Sequence, residues 1–282
     1  MRPARTRVGR LVPALGCLLL GVSSGPLLAQ ERTTADTISW GSVGTRAGWC
    51  VEFLMEPKAA AEDLTRGYRV SAARESRTLL PAIARLISEE PTYADWVPSQ
   101  LCLYLADGIT LQNRRYDRGD AGQPIAVIYW SVSAAREDGA DAGSGLVSFR
   151  SFGTNSSSLQ QRMGNLGVPV DRIQLEVRPM SDSPDLNYII KLSGAQVFYS
   201  TGAPRPDSTR AATPLAATGV FNGNNRAVWT ARLNYDPEAL GHTSGALRVV
   251  GKRGLAKALN RSPIRLVGPA IIGGSGTVTL TR

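Results

Sequence analysis

Residues Leu186–Ser200, LNYIIKLSGAQVFYS, form the longest uninterrupted run of strand-forming residues in the chain. Every second residue from Leu186 is mostly apolar, including Tyr188, Ile190 and Phe198, whereas the residues between them are mixed. Such period-two alternation is typical of a strand with one buried face and one wetter face. We therefore expect one long strand inside an antiparallel sheet, against which the rest of the chain packs.

The other segments also favour β-structure. Short alternating or apolar runs recur between turns rich in Gly and Pro, and they amount to about ten strand candidates. Helix patterns are few: Thr78–Glu90 carries one apolar stripe, and Pro57–Leu64 opens with a proline followed by alanines. The sequence predicts a mainly β (α+β) fold, either an antiparallel β-sandwich or an open β-barrel or cone, with two to four short covering helices.

The first 29 residues have the pattern of a secretory signal peptide. Four arginines precede an apolar run that contains Pro and Gly and is shorter than the ~20 residues of a membrane-spanning helix. We expect cleavage after Ala29, an exported protein (periplasmic or extracellular), and no transmembrane segment after signal removal. Residues 30–48 are polar and predict a flexible lead-in, and residues 49–282 predict a single β-rich domain.

The positive charge is partly a property of this leader. The whole chain has 32 Lys+Arg and 23 Asp+Glu, and the leader contains four Arg and no acid, which leaves 28 against 23, or +5. This balance gives no support for nucleic-acid binding, and we expect none. The sequence does not specify an oligomeric state.

Basic residues are nevertheless concentrated near the C-terminus, since no acid occurs from Ala239 to Arg282. A helix over Gly254–Asn260 would align several of them and could bind anionic lipid or another anionic envelope component. The alternative is a solvated surface whose acids lie elsewhere in the fold. The residues concerned are Lys252, Arg253, Lys257, Arg261 and Arg265.

Two cysteines remain once the leader is removed, Cys50 and Cys102. In an exported protein an even pair favours a disulfide over free thiols. A zinc pair would lack partners, because the chain has one histidine and no CxxC motif. We expect no metal site.

Motifs for cofactors and for nucleophilic hydrolysis are missing. The chain has no P-loop and no GxGxxG after a strand, so we expect no nucleotide cofactor. Any serine triad would need His242, and no serine has GxSxG spacing. Asp182, Asp185 and Asp207 fall in predicted loops but lack the spacing of a calcium-binding loop.

Lys191 is the most distinctive single residue, because the chain has only four lysines and this one interrupts the most apolar strand. In an apolar cavity its pKa would be lowered and its amine could act as a nucleophile or bind a carbonyl group. The alternative is that it lies on the wetter face and reaches solvent.

Residues Val51–Val70, VEFLMEPKAAAEDLTRGYRV, resemble the opening strand and helix of acetoacetate decarboxylase-like proteins. The resemblance implies a β-rich barrel or cone around a pocket and, in the enzymes, a lysine that forms a Schiff base. Lys191 is the residue that this resemblance offers for that role. The adjacent lysine pair of the enzymes is not present, since Ile190 and Leu192 flank Lys191.

Three functional hypotheses follow. The main one is an exported soluble β-rich domain that binds a small molecule or a cell-envelope component without catalysis. The missing motifs favour this hypothesis, or a structural accessory subunit, over an enzyme. The alternative is an acetoacetate decarboxylase-like enzyme with Lys191 as its working group, or an enzyme that uses carboxylates, and a further alternative is a structural accessory subunit. A cavity lined by ionisable groups would favour the enzyme. The candidate carboxylates are Glu52, Glu56, Asp95 and Asp107.

Overall fold

The structure is a computed structural model. It describes residues 35–42, 48–76, 81–180, 183–201, 205–206, 215–236, 239–242, 245–267, 270–272 and 274–282. The predicted signal peptide, residues 1–29, lies outside the described residues.

Strands dominate the described part of the chain. They are β1 (Ala35–Ser42), β2 (Gly48–Met55), β3 (Tyr68–Val70), β4 (Val97–Leu111), β5 (Arg114–Tyr116), β6 (Ile125–Arg136), β7 (Val147–Thr154), β8 (Asp171–Arg172), β9 (Gln174–Met180), β10 (Ser183–Leu192), β11 (Ala195–Thr201), β12 (Arg205–Pro206), β13 (Leu215–Asn222), β14 (Val228–Asp236), β15 (Ala239–His242), β16 (Gly245–Gly251), β17 (Ile264–Leu266), β18 (Ala270–Ile272) and β19 (Gly274–Thr281). The helices are α1 (Pro57–Ala60), α2 (Pro81–Glu89), α3 (Ser157–Asn165) and α4 (Gly254–Leu259). The predicted mainly β class with a few short helices is confirmed.

Seven strands close into a barrel. The ring of paired neighbours runs β1–β4–β6–β7–β13–β14–β19 and returns to β1. All of these contacts are antiparallel except the short one between β7 and β13. Closure leaves no free edge in the ring and creates an interior that side chains of alternate residues fill.

Strand β4 organises one side of the barrel because it has 15 residues and its edge serves two partners. Its first half pairs with β2, from Val97 to Tyr104, and its second half pairs with β1, from Ala106 to Leu111. The wall of the barrel therefore changes from β1 to β2 along this edge.

A second sheet, in the order β16–β11–β10–β9, packs on the outside of the barrel. Its inner residues Tyr188, Ile190, Val197 and Tyr199 are buried against barrel side chains such as Trp49. A small third sheet consists of β12, β15 and β18.

The predicted single strand over Leu186–Ser200 is wrong, because the segment is a hairpin. Ser193 and Gly194 form the turn, and Gly194 has a φ of +75°, a conformation that glycine adopts without steric cost. Across the turn the buried positions change from even-numbered residues in β10 to odd-numbered residues in β11, and Ile190 lies opposite Val197. Phe198, expected on the buried face, is consequently only half-buried.

A part of the segment predicted as a flexible lead-in, residues 30–48, is a strand. Ala35–Ser42 is a strand of the barrel, paired with β19 on one side and β4 on the other. The alternation of this strand is hard to see in the sequence because most of its residues are small or polar. Ile38 is its buried apolar residue.

Two apolar cores stabilise the fold. One fills the barrel with rings that include Tyr104, Tyr129 and Trp229, and the other lies between the barrel wall and the second sheet around Phe53 and Trp130. None of the described helices has the length and apolar content needed to cross a membrane.

Candidate functional site

The open end of the barrel contains a polar cavity with a volume of about 880 Å³. Strands β2, β4, β6, β13 and β14 contribute to its wall, together with the loop that leads into β7. The polar and charged residues that line it include Glu52, Ser99, Gln100, Ser131, Ser133, Asp141, Thr218, Arg232 and Asn234. A cavity of this size suits a small-molecule ligand.

Period-two alternation explains why Glu52 faces this cavity. Its neighbours Val51 and Phe53 belong to the core outside the barrel, so Glu52 points to the opposite side of β2. Gln100 is its directly paired residue on β4. The two polar side chains therefore meet at the position where β2 forms the wall.

A chain of hydrogen bonds leads from Glu52 into the barrel. The Gln100 Nε2 donates to Glu52 Oε1 at 3.2 Å, and the Tyr129 hydroxyl donates to Gln100 Oε1 at 3.4 Å. The Tyr104 and Tyr129 hydroxyl oxygens are 3.3 Å apart. Because the Tyr129 proton is directed at Gln100, we infer that Tyr104 donates to Tyr129.

The pKa of the Glu52 carboxyl is close to neutral pH. Removal from water raises its pKa from 4.5 to about 7, and the hydrogen bond from Gln100 opposes this rise only in part. Although the residue as a whole is half-buried, its Oε2 is fully buried and has no hydrogen-bond partner among the described residues. Glu52 is thus a cavity carboxyl that exchanges its proton in the physiological pH range.

Both tyrosines stay neutral at that pH. Burial raises the pKa of Tyr129 to about 12, and it raises the pKa of Tyr104 well above the usual value. A negative charge on Glu52 raises both values further. The phenols therefore act as fixed hydrogen-bond donors that orient the Gln100 amide toward Glu52.

Arg232 lies at the exposed rim of the same cavity, on the outer face of β14, because its neighbours Ala231 and Leu233 face the barrel interior. The residue is exposed, lines the cavity and forms no ion pair with another described residue. A guanidinium binds carboxylates well because it can donate two parallel hydrogen bonds. The cavity therefore has a titrating carboxyl in its wall and, at its exposed rim, a group suited to an anionic substrate.

Lys191 lies elsewhere. It is exposed on the second sheet and paired with Gln174 and Gln196. The pKa of the Glu176 carboxyl is lowered chiefly by its hydrogen bond from Arg178 and to a smaller extent by the Lys191 ammonium. None of the four lysines of the chain is among the residues that line the polar cavity. The apolar environment that activates a Schiff-base lysine is not provided at Lys191.

Only one of the four candidate carboxylates reaches the cavity. Asp95 is exposed and forms an ion pair with Arg74, and Asp107 is exposed as well. Glu56 lies at the end of β2, outside the set of cavity-lining residues. Glu52 is therefore the candidate that the fold selects.

The C-terminal basic residues are largely paired with acids. Lys257 and Arg261 both contact Glu62, the first with an N–O distance of 3.1 Å, and Arg265 is 3.7 Å from Glu90. Lys252 and Arg253 are exposed. Binding of an anionic envelope component by these five residues stays a prediction.

Cys50 and Cys102 lie opposite each other on β2 and β4 and form a disulfide. The bridge is one inward-facing position away from the Glu52–Gln100 pair, and Cys50 Sγ is 3.5 Å from the Tyr104 hydroxyl. The disulfide thus joins the two strands that position the titrating carboxyl.

No group of three or more His, Cys, Asp and Glu among the described residues could hold a metal ion. The side chains of Asp182, Asp185 and Asp207 lie outside the described ones.

Sequence reasoning missed Gln100, Tyr104 and Tyr129. A signal for them exists in the alternation of β4 and β6. One face of these strands carries Gln100, Tyr104, Tyr129 and Ser131, and the other face carries apolar side chains. That signal becomes readable only when β4 and β6 are known to be adjacent walls of one barrel.

No family model matches the chain, and no curated protein matches it. Among solved structures it is similar to the enduracididine biosynthesis enzyme MppR complexed with pyruvate, with 15% identity, 93% of this chain and 95% of that chain covered, and a TM-score of 0.46. It is also similar to an acetoacetate decarboxylase-like enzyme from Sphingomonas wittichii RW1, with 8% identity, 88% and 90% coverage, and a TM-score of 0.46. A further structure of MppR, with the condensation product of pyruvate and imidazole 4-carboxaldehyde, has 14% identity, 88% and 86% coverage, and a TM-score of 0.40.

The main functional expectation from the sequence, a non-catalytic binding domain, is wrong. The solved structures to which the chain is similar are described as enzymes. The likeness is one of fold and assigns no role to any residue of this chain. The chain thus has a weak structural resemblance to acetoacetate decarboxylase-like enzymes, as the opening segment Val51–Val70 led us to expect.

Proposed function

We propose that the protein is an enzyme that acts on a small oxo acid and uses Glu52 to move a proton at the carbon next to the carbonyl group. The observation that carries the proposal is the Glu52 carboxyl, which lines a cavity of about 880 Å³ and has a pKa raised to about 7. A base whose pKa is close to the working pH combines adequate basicity with adequate ionisation.

In the proposed step the ionised Glu52 carboxylate takes a proton from the carbon, and the electrons of the C–H bond pass to the carbonyl oxygen to form an enolate. Return of the proton to carbon completes the exchange and regenerates the carboxylate. Gln100, oriented by Tyr129, donates to Glu52 Oε1, whereas Oε2 is buried and has no hydrogen-bond partner among the described residues. The proposed step therefore requires that the bound substrate gain contact with this carboxylate. Arg232 is the group for the substrate carboxylate.

The absence of a lysine from the lining residues argues for this route over a Schiff base. Proton transfer needs only the carboxyl group, a way to polarise the carbonyl, and exclusion of bulk water.

The test follows hydrogen–deuterium exchange at C3 of 2-oxo acids in D₂O by proton NMR, beginning with pyruvate, the ligand of one MppR structure. We expect Glu52→Gln to lower the enzymatic rate about 10²- to 10⁴-fold. The rate for the unchanged protein should rise with pH through about 7, the pKa of Glu52, and then level off. Glu56→Gln, a matched change outside the cavity, should leave the rate unchanged. Full activity in Glu52→Gln would refute the assignment.

We also propose that the protein is exported to the periplasm or the cell exterior. The leader pattern of residues 1–29 and the Cys50–Cys102 bridge support this proposal, since structural disulfides persist in oxidising compartments. Cell fractionation checks it: export predicts mature protein that begins at Gln30 outside the cytoplasm. Full-length protein retained in the cytoplasm would contradict it.

A further inference from the structure

The closed end of the barrel contains a second cavity, which is apolar and has a volume of about 100 Å³. No polar atom is exposed on its wall. Leu159 and Met163 of α3 form part of its floor, and strands of the barrel supply the remainder. The side chains from the strands include Ile38, Ala106, Phe149, Phe221, Ala231 and Leu280.

This base cavity lies directly beneath the hydrogen-bonded chain that leads to Glu52. The rings of Tyr104 and Tyr129 line it, whereas their hydroxyls belong to the chain that ends at Glu52. Leu233 lines both the base cavity and the polar cavity above it. The barrel interior is therefore polar at its open end and apolar at its closed end, with the tyrosine pair at the boundary.

Such an arrangement matches an amphipathic ligand. Side chains that face an apolar void lack contact atoms on one side, and an apolar ligand restores those contacts without displacing bound water. An engineered apolar cavity of about 150 Å³ takes up benzene. By that comparison the base cavity, about 100 Å³, accommodates a chain of roughly four carbon atoms.

We propose that the base cavity binds the apolar chain of the substrate, so that the substrate is a straight-chain oxo acid with a short alkyl tail rather than pyruvate itself. The assignment of the head group rests on the proposed function of Glu52. The tail passes the tyrosine pair at Leu233 and ends among Ala231, Leu280 and the α3 side chains.

The experiment measures binding of straight-chain 2-oxo acids, from pyruvate to 2-oxodecanoate, by isothermal titration calorimetry. Once the chain is long enough to pass the tyrosine pair, we expect Kd to fall about fourfold for each further methylene that enters the base cavity. The fall should extend over roughly four carbons and stop when the cavity is full. A Kd that does not depend on chain length, or no binding of any member, overturns the proposal.

Three variants locate the effect. Ala231→Leu fills the base cavity and should abolish the chain-length dependence while pyruvate binding persists. Met163→Ala enlarges the cavity from the α3 side and should extend the dependence to longer chains. Leu266→Met, a volume-conserving change at an exposed residue that lines neither cavity, should leave the dependence unchanged. Dependence that survives in folded Ala231→Leu overturns the proposal; if that variant does not fold, an unaltered length limit in Met163→Ala does so.

The same titration on Glu52→Gln separates this inference from the proposed function. Chain-length dependence in that variant supports the tail site whether or not any oxo acid undergoes proton exchange. Proton exchange by the unchanged protein combined with a flat binding series retains the role of Glu52 and overturns the tail site alone.

Discussion

Replacement of Glu52 by glutamine should make the protein more stable above neutral pH. In the folded state the pKa of Glu52 is about 7, against 4.5 for an unperturbed glutamate, so ionisation of the buried carboxyl opposes folding. A difference of about 2.5 pK units corresponds to roughly 3 kcal/mol at full ionisation. Glutamine retains an oxygen that accepts from Gln100 and carries no charge, so it removes this cost.

The sign and the pH window follow from the two pKa values. Below pH 4.5 the carboxyl is protonated in both the folded and the unfolded state, and the variant should match the unchanged protein. Between pH 4.5 and about 7 the unfolded chain loses the proton first, so the free energy of unfolding of the unchanged protein falls as pH rises. Above about pH 7 the deficit relative to the variant should be constant at roughly 3 kcal/mol.

Urea denaturation followed by tryptophan fluorescence at pH 4 and pH 8, with the disulfide intact, measures both differences. Glu56→Gln serves as the control, because that carboxyl lies outside the cavity, and its effect should be the same at the two pH values. Equal stability of Glu52→Gln and the unchanged protein at pH 8 would refute the argument that burial holds Glu52 near neutrality. A variant that gains stability and loses proton exchange would identify Glu52 as a group retained for chemistry at a cost in stability.

Two further predictions concern the barrel interior and its bridge. Tyr129→Phe should lower the free energy of unfolding by about 1–2 kcal/mol, because it removes a hydroxyl that hydrogen-bonds to both Tyr104 and Gln100. Tyr116→Phe should not lower it, since the buried Tyr116 hydroxyl has no partner among the described residues. Urea denaturation of both variants measures the contrast, and equal losses of stability would contradict it. Substitution of both Cys50 and Cys102 by alanine should lower the free energy of unfolding by roughly 4 kcal/mol, because the bridge closes a loop with a sequence separation of 52 residues. A thiol titration of the unchanged protein, denatured but not reduced, should detect no free thiol.

The sequence predicted the fold class because burial in this protein follows simple alternation. Strand β2 is an example: Val51 and Phe53 alternate with Cys50 and Glu52, so both the strand and its two faces follow from the pattern. The hairpin was missed for a related reason. Its turn consists of Ser193 and Gly194, and a two-residue turn inside an apolar run leaves the composition of the segment strand-like throughout.

The site could be predicted only in part. Glu52 stood among four candidate carboxylates, and nothing in the local sequence separates it from Glu56, which is four residues away. The two differ in position: Glu52 lies within β2 where that strand forms the barrel wall, and Glu56 follows the end of β2. That difference depends on the pairing between β2 and β4. Lys191 attracted attention because of its apolar neighbours, but alternation along β10 places Ile190 and Leu192 on the face of the second sheet opposite to the lysine.

The position of the disulfide explains how a buried carboxyl can be kept in place. Ionisation of the buried Glu52 costs roughly 3 kcal/mol. This cost would fall if β2 separated from β4 and admitted water to Oε2. Cys50 and Cys102 form the next inward-facing pair along the same two strands, and their bond prevents that separation. The barrel therefore holds the carboxyl in an unfavourable environment by a covalent link beside it, which agrees with the role in proton transfer that we propose for Glu52.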